Sequence, residues 1–530
     1  MADPLDVIVI GSGFGGAVNA CRAAQSGAKV LVLERGRRWT PATYPRAVTD
    51  PWLFDAASPH KMNGWLDLRL FNGMTIAQGA GVGGGSLCYS SVVLEATAKI
   101  FESGWPAEIT LNELRPYYNR AKSMLSVQTL PAGQLTPRFN LLKEGAEKTG
   151  RSAQFSHAPL AVSFDPEWNY GLKNPVDSSH SKEFVNAHRR KQGTCVHLGN
   201  CDIGCDVQAK NTLDLNYLAE AENHGAEIRP LHLVRSIVPE NRGYRVHFER
   251  LESGTAIKGS EWASQVILAA GSLGSTEILL RCRDEYGTLP NVGRALGLNW
   301  SSNANVLTPA IYPDAARVQQ SIGPTISAIV DLMDGQVDGR SLVVEDDGFP
   351  NLLLNALNQR FGSRWLSALG WSLSRHASRG VGEKNPLAKV MIWLGAGCDA
   401  SDGQLVLSRR LLAPWSKKLN LRWNVARSKP TIDAILKVHG EVTSATGGKL
   451  HIPAAWRWFR SLITVHPLGG CQMASTAHEG VVDHKCQVFG HPGLYVCDGS
   501  VIPKAIGRNP SLTIAALAER AATFLWSGTE

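Results

Sequence analysis

Gly11, Gly13, Gly16 and Glu34 are the residues whose type and spacing first point to chemistry. In Asp6-Val7-Ile8-Val9-Ile10-Gly11-Ser12-Gly13-Phe14-Gly15-Gly16, an apolar run enters a Gly-x-Gly-x-x-Gly turn. Gly11 makes the tight turn, Gly13 lets backbone approach a pyrophosphate, and Gly16 lets helix and strand pack closely. The N-terminus of the following helix favours phosphate charge, and a carboxylate at Glu34 accepts from a ribose hydroxyl. Farther on, Val465-His466-Pro467-Leu468-Gly469-Gly470-Cys471 puts a histidine at a strand end beside a turn. Asp498-Gly499 closes another apolar run, and Asn509-Pro510 precedes a helix. Each of the three sits where strands deliver residues to the ligand edge of a doubly wound sheet.

The elements that must position these groups are legible around them. A strand over 7–10, a helix of small residues over 17–25 and a second strand over 28–34 fit within about 30 residues, the context that makes the glycine pattern specific. A second unit holds a helix over 213–224, strands over 228–234 and 244–249, and the strand 265–271. Residues 269–277 then repeat the strand, glycine turn and helix pattern, with the helix over 277–282. Gly79-Ala80-Gly81-Val82-Gly83-Gly84-Gly85-Ser86-Leu87 is a further glycine-rich loop. Its bare N–H groups permit close ligand approach. The C-terminal unit ends in a helix over 515–524. Between these units, 101–204 and 298–460 are less regular and rich in Trp, Pro and Asn. A doubly wound core interrupted by an inserted domain is the economical reading. Within the insertion, the apolar runs 390–394 and 404–407 flank Ser401-Asp402-Gly403 and read as a hairpin. Phe361, Trp365, Leu366, Leu369 and Leu373 recur at helical spacing, with Arg364 and Arg375 interspersed. That face reads first as an ordinary amphipathic helix and second as a lid or peripheral membrane-surface contact.

Composition excludes several classes. The 530 residues carry 54 Lys plus Arg against 46 Asp plus Glu, a net charge of +8 with no long basic run. Nucleic acid is therefore not an expected partner. The first strand begins so early that it leaves no room for a secretory leader, and no apolar run reaches membrane-spanning length. The expected location is cytoplasmic. Ten cysteines in so long a chain fit a reduced compartment. Cys195, Cys201 and Cys205 cluster near His197 but lack the paired spacing of structural zinc sites, so the expectation is buried thiols and no metal.

Taken together, Gly11 through Gly16 with Glu34, residues 79–87, 271–277, 466–471, and Asp498 through Ile514 resemble the glucose–methanol–choline (GMC) family of flavoprotein oxidoreductases, in its cholesterol oxidase branch. These segments follow the family's order from end to end. The resemblance implies an α/β fold: a doubly wound, discontinuous Rossmann-type FAD-binding domain over 1–100, 205–297 and 461–530. An inserted α+β substrate-binding domain would occupy 101–204 and 298–460. It implies FAD rather than NAD. Gly11, Gly13, Phe14, Gly15, Gly16 and Glu34 would hold the ADP half. Gly81, Gly84, Gly85 and Ser86 would line the flavin side. The backbone of Val234 would meet adenine, and Gly271, Asp498, Gly499, Asn509 and Ser511 would complete the cofactor site. His466 and Asn509 match the family's catalytic pair, and Glu345, beside Asp346 and Asp347, falls where the branch carries a buried carboxylate. Tyr89 and Ser90 depart from the Asn-Gly of the nearest enzymes. No histidine precedes the 79–87 loop as flavin attachment requires, so the resemblance implies non-covalent FAD.

The implied reaction is oxidation of an alcohol, with a bulky apolar secondary alcohol such as a sterol as the expected substrate and oxygen or another electron acceptor downstream. Histidine has an ordinary pKa near 6.5, which suits it to take the hydroxyl proton. Asn509 would orient the oxygen, and a buried Glu345 would serve as a second base. Lyase-type members, a flavin photodecarboxylase and a catalytically inert binding protein are the competing readings. The intact His466 and Asn509 pair speaks against the last two.

Overall fold

A computed structural model describes residues 4–350, 389–410 and 413–526. The amphipathic run from Phe361 to Leu373 lies outside the described residues. The nucleotide-type core is a seven-stranded sheet. Its parallel part runs Glu227–Arg229, Val30–Leu33, Leu5–Ile10, Thr255–Leu268, with Leu494–Val496 also on the last of these. Val7, Ile8, Leu31, Val32, Val266 and Ile267 are fully buried, as parallel strands covered on both faces require. The strand expected over 265–271 is longer than its apolar run suggests. Thr255–Leu268 carries an antiparallel arm that pairs with Gly243–Glu252, which pairs in turn with His232–Glu240. Asn241 and Arg242 make the intervening turn with left-handed φ of 49° and 63°, the hand that matches strand twist.

One helix covers a side of this sheet and a second packs onto that helix. Phe14–Gln25 starts three residues before the expected 17, because Gly13 ends the turn as its N-cap. Ser511–Trp526 packs against it, and its Ala515, Ala518 and Ala522 are buried. Small side chains allow that close approach. The fully buried Glu519 is matched by Arg22 at 2.6 Å and by the Tyr217 hydroxyl at 2.7 Å, which satisfies a charge that would be costly alone.

The second layer is a six-stranded sheet in the order Lys449–Leu450, Val306–Ile311, Val390–Gly397, Arg340–Asp347, Ala328–Val337, Phe155–His157. The helix Val425–Ala445 backs it. A Cβ on Gly395 would stand 2.2 Å from Ile435 Cγ2, so glycine sets how near the helix comes. The hairpin expected between 390–394 and 404–407 does not form. Val390–Gly397 pairs with Val306–Ile311 and Arg340–Asp347, whereas Gln404–Arg410 pairs with Ala413–Arg422. The connecting turn is pulled away instead. Asp399 accepts from Ser301 Oγ and Ser302 N, and Gly403 N donates to Trp300 O at 2.9 Å.

A small four-stranded sheet joins the layers. Leu462–Thr464 lies parallel to Met74–Gly79, with Leu462 opposite Met74 and Thr464 opposite Ile76. The glycine loop after Gly79 and the segment carrying His466 therefore leave the same edge together.

Candidate active site

A cavity of about 1420 Å³ lies between the two layers. Its first part is the glycine cradle. Gly11 has φ of 95°, and a Cβ there would sit 2.4 Å from Ala269 O. A Cβ on Gly16 would sit 2.0 Å from Gly11 O, and one on Gly15 would sit 1.6 Å from Cys497 O. These are contacts no larger residue makes without moving backbone. Gly13 and Gly85 differ: a Cβ on either would meet nothing within 4 Å. Both are open on the ligand side. The Phe14–Gln25 helix has no side-chain cap, so its first N–H groups are free for an anion.

Two carboxylates stitch this cradle together. Glu34 accepts from Ser12 N at 3.1 Å, Ser12 Oγ at 2.7 Å and Gly36 N at 2.9 Å. Ser12 Oγ in turn accepts from Gly83 N at 3.0 Å. Glu34 thus ties the first glycine turn to the second as well as facing the cavity. Asp498 accepts from Gly271 N at 2.9 Å, Ser275 Oγ at 2.5 Å and Ser500 N at 2.7 Å. Burial pushes its carboxyl above the usual range. At the far end a β-bulge between Val234 and Ser236 breaks the ladder beside the cavity.

Gly11, Gly13, Phe14, Gly15, Glu34, Gly84, Gly85, Val234, Gly271, Asp498, Gly499, Asn509 and Ser511 all line the cavity with His466. Gly16, Gly81, Ser86 and Glu345 stand behind its wall. Gly16 makes the helix–strand contact. Gly81 is wedged against Trp39. Ser86 donates to Gly83 O and accepts from Leu213 N, which shapes the loop from behind. An open anion-binding helix end, two bare glycines and a neighbouring acid are what a dinucleotide's phosphates and ribose need, so the residues present fit FAD.

The reactive end is built from both layers. His466 follows Leu462–Thr464, and burial pushes its imidazole down to about 4, so it is neutral at pH 7. Asn509 lies just before the Ser511–Trp526 helix and is buried. Its Nδ2 is 3.4 Å from Glu345 Oε2. Asn509 Oδ1 and Glu345 Oε1 have no hydrogen-bond partner among the described residues. Burial raises the Glu345 carboxyl to about 8. Strand alternation sets Asp346 on the face opposite Glu345 and Asp347. Asp346 accepts from Ser327 N and Oγ and from Ala328 N. Glu345 turns to Asn509, and Asp347 faces the cavity.

Several site residues carry no signal in the sequence. Asn305 holds His466, its Nδ2 lying 3.0 Å from His466 Nδ1. Asp202 lines the cavity with Asp347, and burial raises its carboxyl to about 6. Lys210 is 1% exposed, and its Nζ donates to the carbonyls of Leu87, Tyr89 and Cys201. It clamps the glycine loop from behind. The cysteine cluster surrounds that clamp: Cys201 supplies one of these carbonyls, and Cys205 Sγ accepts from Ala209 N. His197 pairs with the Tyr170 hydroxyl at 2.7 Å.

Residues 178–299 and 438–518 match the GMC oxidoreductase family, and 9–66 match an NAD(P)-binding Rossmann-like domain. A cholesterol oxidase of Acinetobacter baumannii is 30% identical across 98% of this chain and 94% of its own length. One from Mycobacterium tuberculosis is 30% identical across 99% and 92%. A long-chain-alcohol oxidase of Arabidopsis thaliana is 23% identical across 97% of this chain and 66% of its own. Among solved structures, pyridoxine 4-oxidase from Mesorbium loti superposes with a TM-score of 0.63 at 15% identity, covering 99% of this chain and 100% of that one. A fungal aryl-alcohol oxidase reaches 0.61 at 15% identity, covering 99% of each chain. At that identity the likeness speaks for the fold alone. With the family pattern matched on both sides of the inserted layer and 30% identity held over nearly the full length of two relatives, this chain belongs to the GMC oxidoreductase family of alcohol-oxidising flavoproteins.

Proposed function

We propose that the chain oxidises a bulky secondary alcohol, with a sterol-like apolar body, using non-covalently held FAD and oxygen as the final acceptor. The observation that carries this reading is that His466 and Asn509, with Glu345 behind Asn509, line one end of a cavity whose other end is the glycine cradle. FAD, when bound, supplies the hydride acceptor. The chain's own residues do the rest. Gly13, Gly15 and the open helix end would hold the pyrophosphate, and Glu34 the ribose. Gly84, Gly85, Asp498 and Gly499 would fix the flavin half. His466 and Asn509 meet the substrate oxygen, and Glu345 waits behind Asn509. Val92, Leu307, Leu394 and Phe349 give the cavity apolar walls. Asp202 and Asp347 add a polar spot that suits a second hydroxyl on the substrate. The names of the 30%-identical relatives support a sterol, and oxygen as acceptor. Leu70 and Val465 border the cavity and are 77% and 49% exposed. They offer an apolar rim by which a lipid-dissolved alcohol enters from a membrane surface. No helix among the described residues is long and apolar enough to cross a membrane.

Anaerobic mixing tests the reading. Sterols, presented in vesicles and in detergent, should bleach the flavin, while choline and sugars should leave it yellow. A flavin that no alcohol bleaches would overturn the proposal. Acid precipitation should leave the flavin in the supernatant, and yellow pellets would overturn non-covalent attachment.

Glu34→Ala should weaken FAD retention about ten- to hundredfold, the effect of losing a charged hydrogen bond. The structure adds a second consequence. Ser12 and Gly36 lose their acceptor, so the apoprotein should also melt earlier. Wild-type flavin occupancy on dilution would count against the ribose role.

A further inference from the structure

Asp347 ends the Arg340–Asp347 strand, is 6% exposed and lines the cavity. Burial, then Asp202, then Glu345 raise its carboxyl, with no hydrogen bond among the causes. It is a buried polar group at the cavity wall without a hydrogen-bond partner among the described residues. Asp202 lines the same cavity from the Cys201–Ile203 turn. Its Oδ1 accepts from Ser90 Oγ at 3.4 Å, and Ser90 is a lining residue too. That turn is firmly held. Trp65 Nε1 donates to Asp202 O at 3.0 Å, Lys210 Nζ to Cys201 O, and Arg46 Nη1 to Ile203 O at 2.9 Å.

Two buried carboxyls that act on each other hold one proton between them. The pair then offers one O–H donor and several oxygen acceptors. A hydroxyl, which donates and accepts at once, matches it. An ammonium would only donate, and it would add charge where two cations already stand. Lys210 acts on Asp202, and the fully buried Arg138 acts on both acids. The Arg138 guanidinium lies behind Gly348, where a Cβ would meet it at 2.7 Å, and it donates to the carbonyls of Gln320, Ile322 and Pro324. Asp346, turned to Ser327 and Ala328, is the remaining acid beside them. Two cations thus balance Asp346 and the singly ionised pair, and no charge is left for a cationic ligand to neutralise.

The strand also sets a distance. Glu345 and Asp347 share a face two residues apart, about 7 Å by strand rise. Glu345 stands behind Asn509, so a group at Asp347 lies about one fused ring away from an alcohol held at Asn509. We propose that Asp202, Asp347 and Ser90 form a hydroxyl-recognition subsite, and that the alcohol this chain oxidises is a ring diol, with one hydroxyl at His466 and Asn509 and a second, on the adjoining ring, at the two acids. This rests on the alcohol-oxidation reading and names the substrate class within it.

Three matched sterols test the subsite on anaerobic holoenzyme: a mono-ol, the same skeleton with a second hydroxyl on the adjoining ring, and the same skeleton with that hydroxyl on the side chain. The ring diol should reduce the flavin with a kcat/KM about ten- to hundredfold above the other two, the worth of a hydrogen bond to a charged group. Binding is read separately. The corresponding ketones, which carry no carbinol at the reacting end, should shift the spectrum of the oxidised flavin, and the ring-hydroxylated ketone should bind tighter by a similar factor. Asp202→Leu and Asp347→Leu should each bring both ratios close to one. Equal rates and equal binding in the wild type would overturn the inference and leave alcohol oxidation standing. A flavin that no alcohol bleaches would overturn alcohol oxidation, and the ketone titration would still decide the subsite. Ratios that persist in both variants would overturn the role of the acids. Tighter binding of a ketone with an amine in place of the ring hydroxyl would overturn the choice of a hydroxyl. Should a variant fail to fold, the wild-type comparison still decides.

Discussion

His466→Ala should slow anaerobic flavin reduction by about 10²- to 10³-fold, the effect of removing one preorganised donor from a developing oxyanion. FAD content should hardly change, because the phosphate and ribose contacts of the cradle lie on other elements. Asn509→Leu should also slow reduction. The double variant should be less impaired than the product of the two, since both groups act on one oxygen and share one transition state. Stopped-flow absorbance of the oxidised flavin measures all three. His466 is held near 4, so its own titration should leave no feature in the wild-type profile between pH 6 and 9. A wild-type reduction rate in His466→Ala would remove His466 from the chemistry altogether.

The parts of this molecule that were legible in the sequence are those whose signal is local. The first glycine turn, its helix and Glu34 lie within one short stretch, and each glycine has a steric reason visible in its spacing. The expected hairpin at 390–407 shows the limit. Every residue of Val390–Gly397 is buried, the mark of a strand flanked on both sides, and its partners come from residues 306–311 and 340–347. Nearness in sequence suggested the wrong neighbour. The adjacent acids Glu345, Asp346 and Asp347 were equivalent until strand alternation turned Asp346 to the face opposite Glu345 and Asp347, with only Asp347 at the cavity. Asn305 was unreadable for a simpler reason: its partner atoms belong to Thr464, Val465 and His466, 159 to 161 residues away. An amide has no characteristic spacing, so only the fold reveals which atoms it joins. Lys210 is the same case, since its acceptors are backbone carbonyls that any residue could provide.

Glu345→Gln is the substitution that separates proton removal from substrate orientation. The Glu345 carboxyl is held near 8 by burial. If it takes the alcohol proton, it must be ionised, so wild-type flavin reduction should rise with pH through about 8 and level off above it. Glu345 stands behind the cavity wall against Asn509, and its partnerless Oε1 would reach the substrate hydroxyl through one water. Glu345→Gln cannot accept a proton. It should lower the plateau rate by about two to four orders of magnitude, the usual size of general-base catalysis, and erase the limb near pH 8. Stability gives an independent readout with its own sign. The folded pKa lies above the ordinary glutamate value of 4.5. The protonated acid therefore favours the native state at low pH, and that contribution is lost as pH rises from about 4.5 through about 8. Glu345→Gln should flatten this decline, so its melting temperature should fall less than wild type between pH 5 and 8. A flattened thermal trend with an unchanged kinetic limb would mean that Glu345 is a buried acid with no part in the reaction. The base would then be Asp347, the other carboxylate on the same face of the same strand.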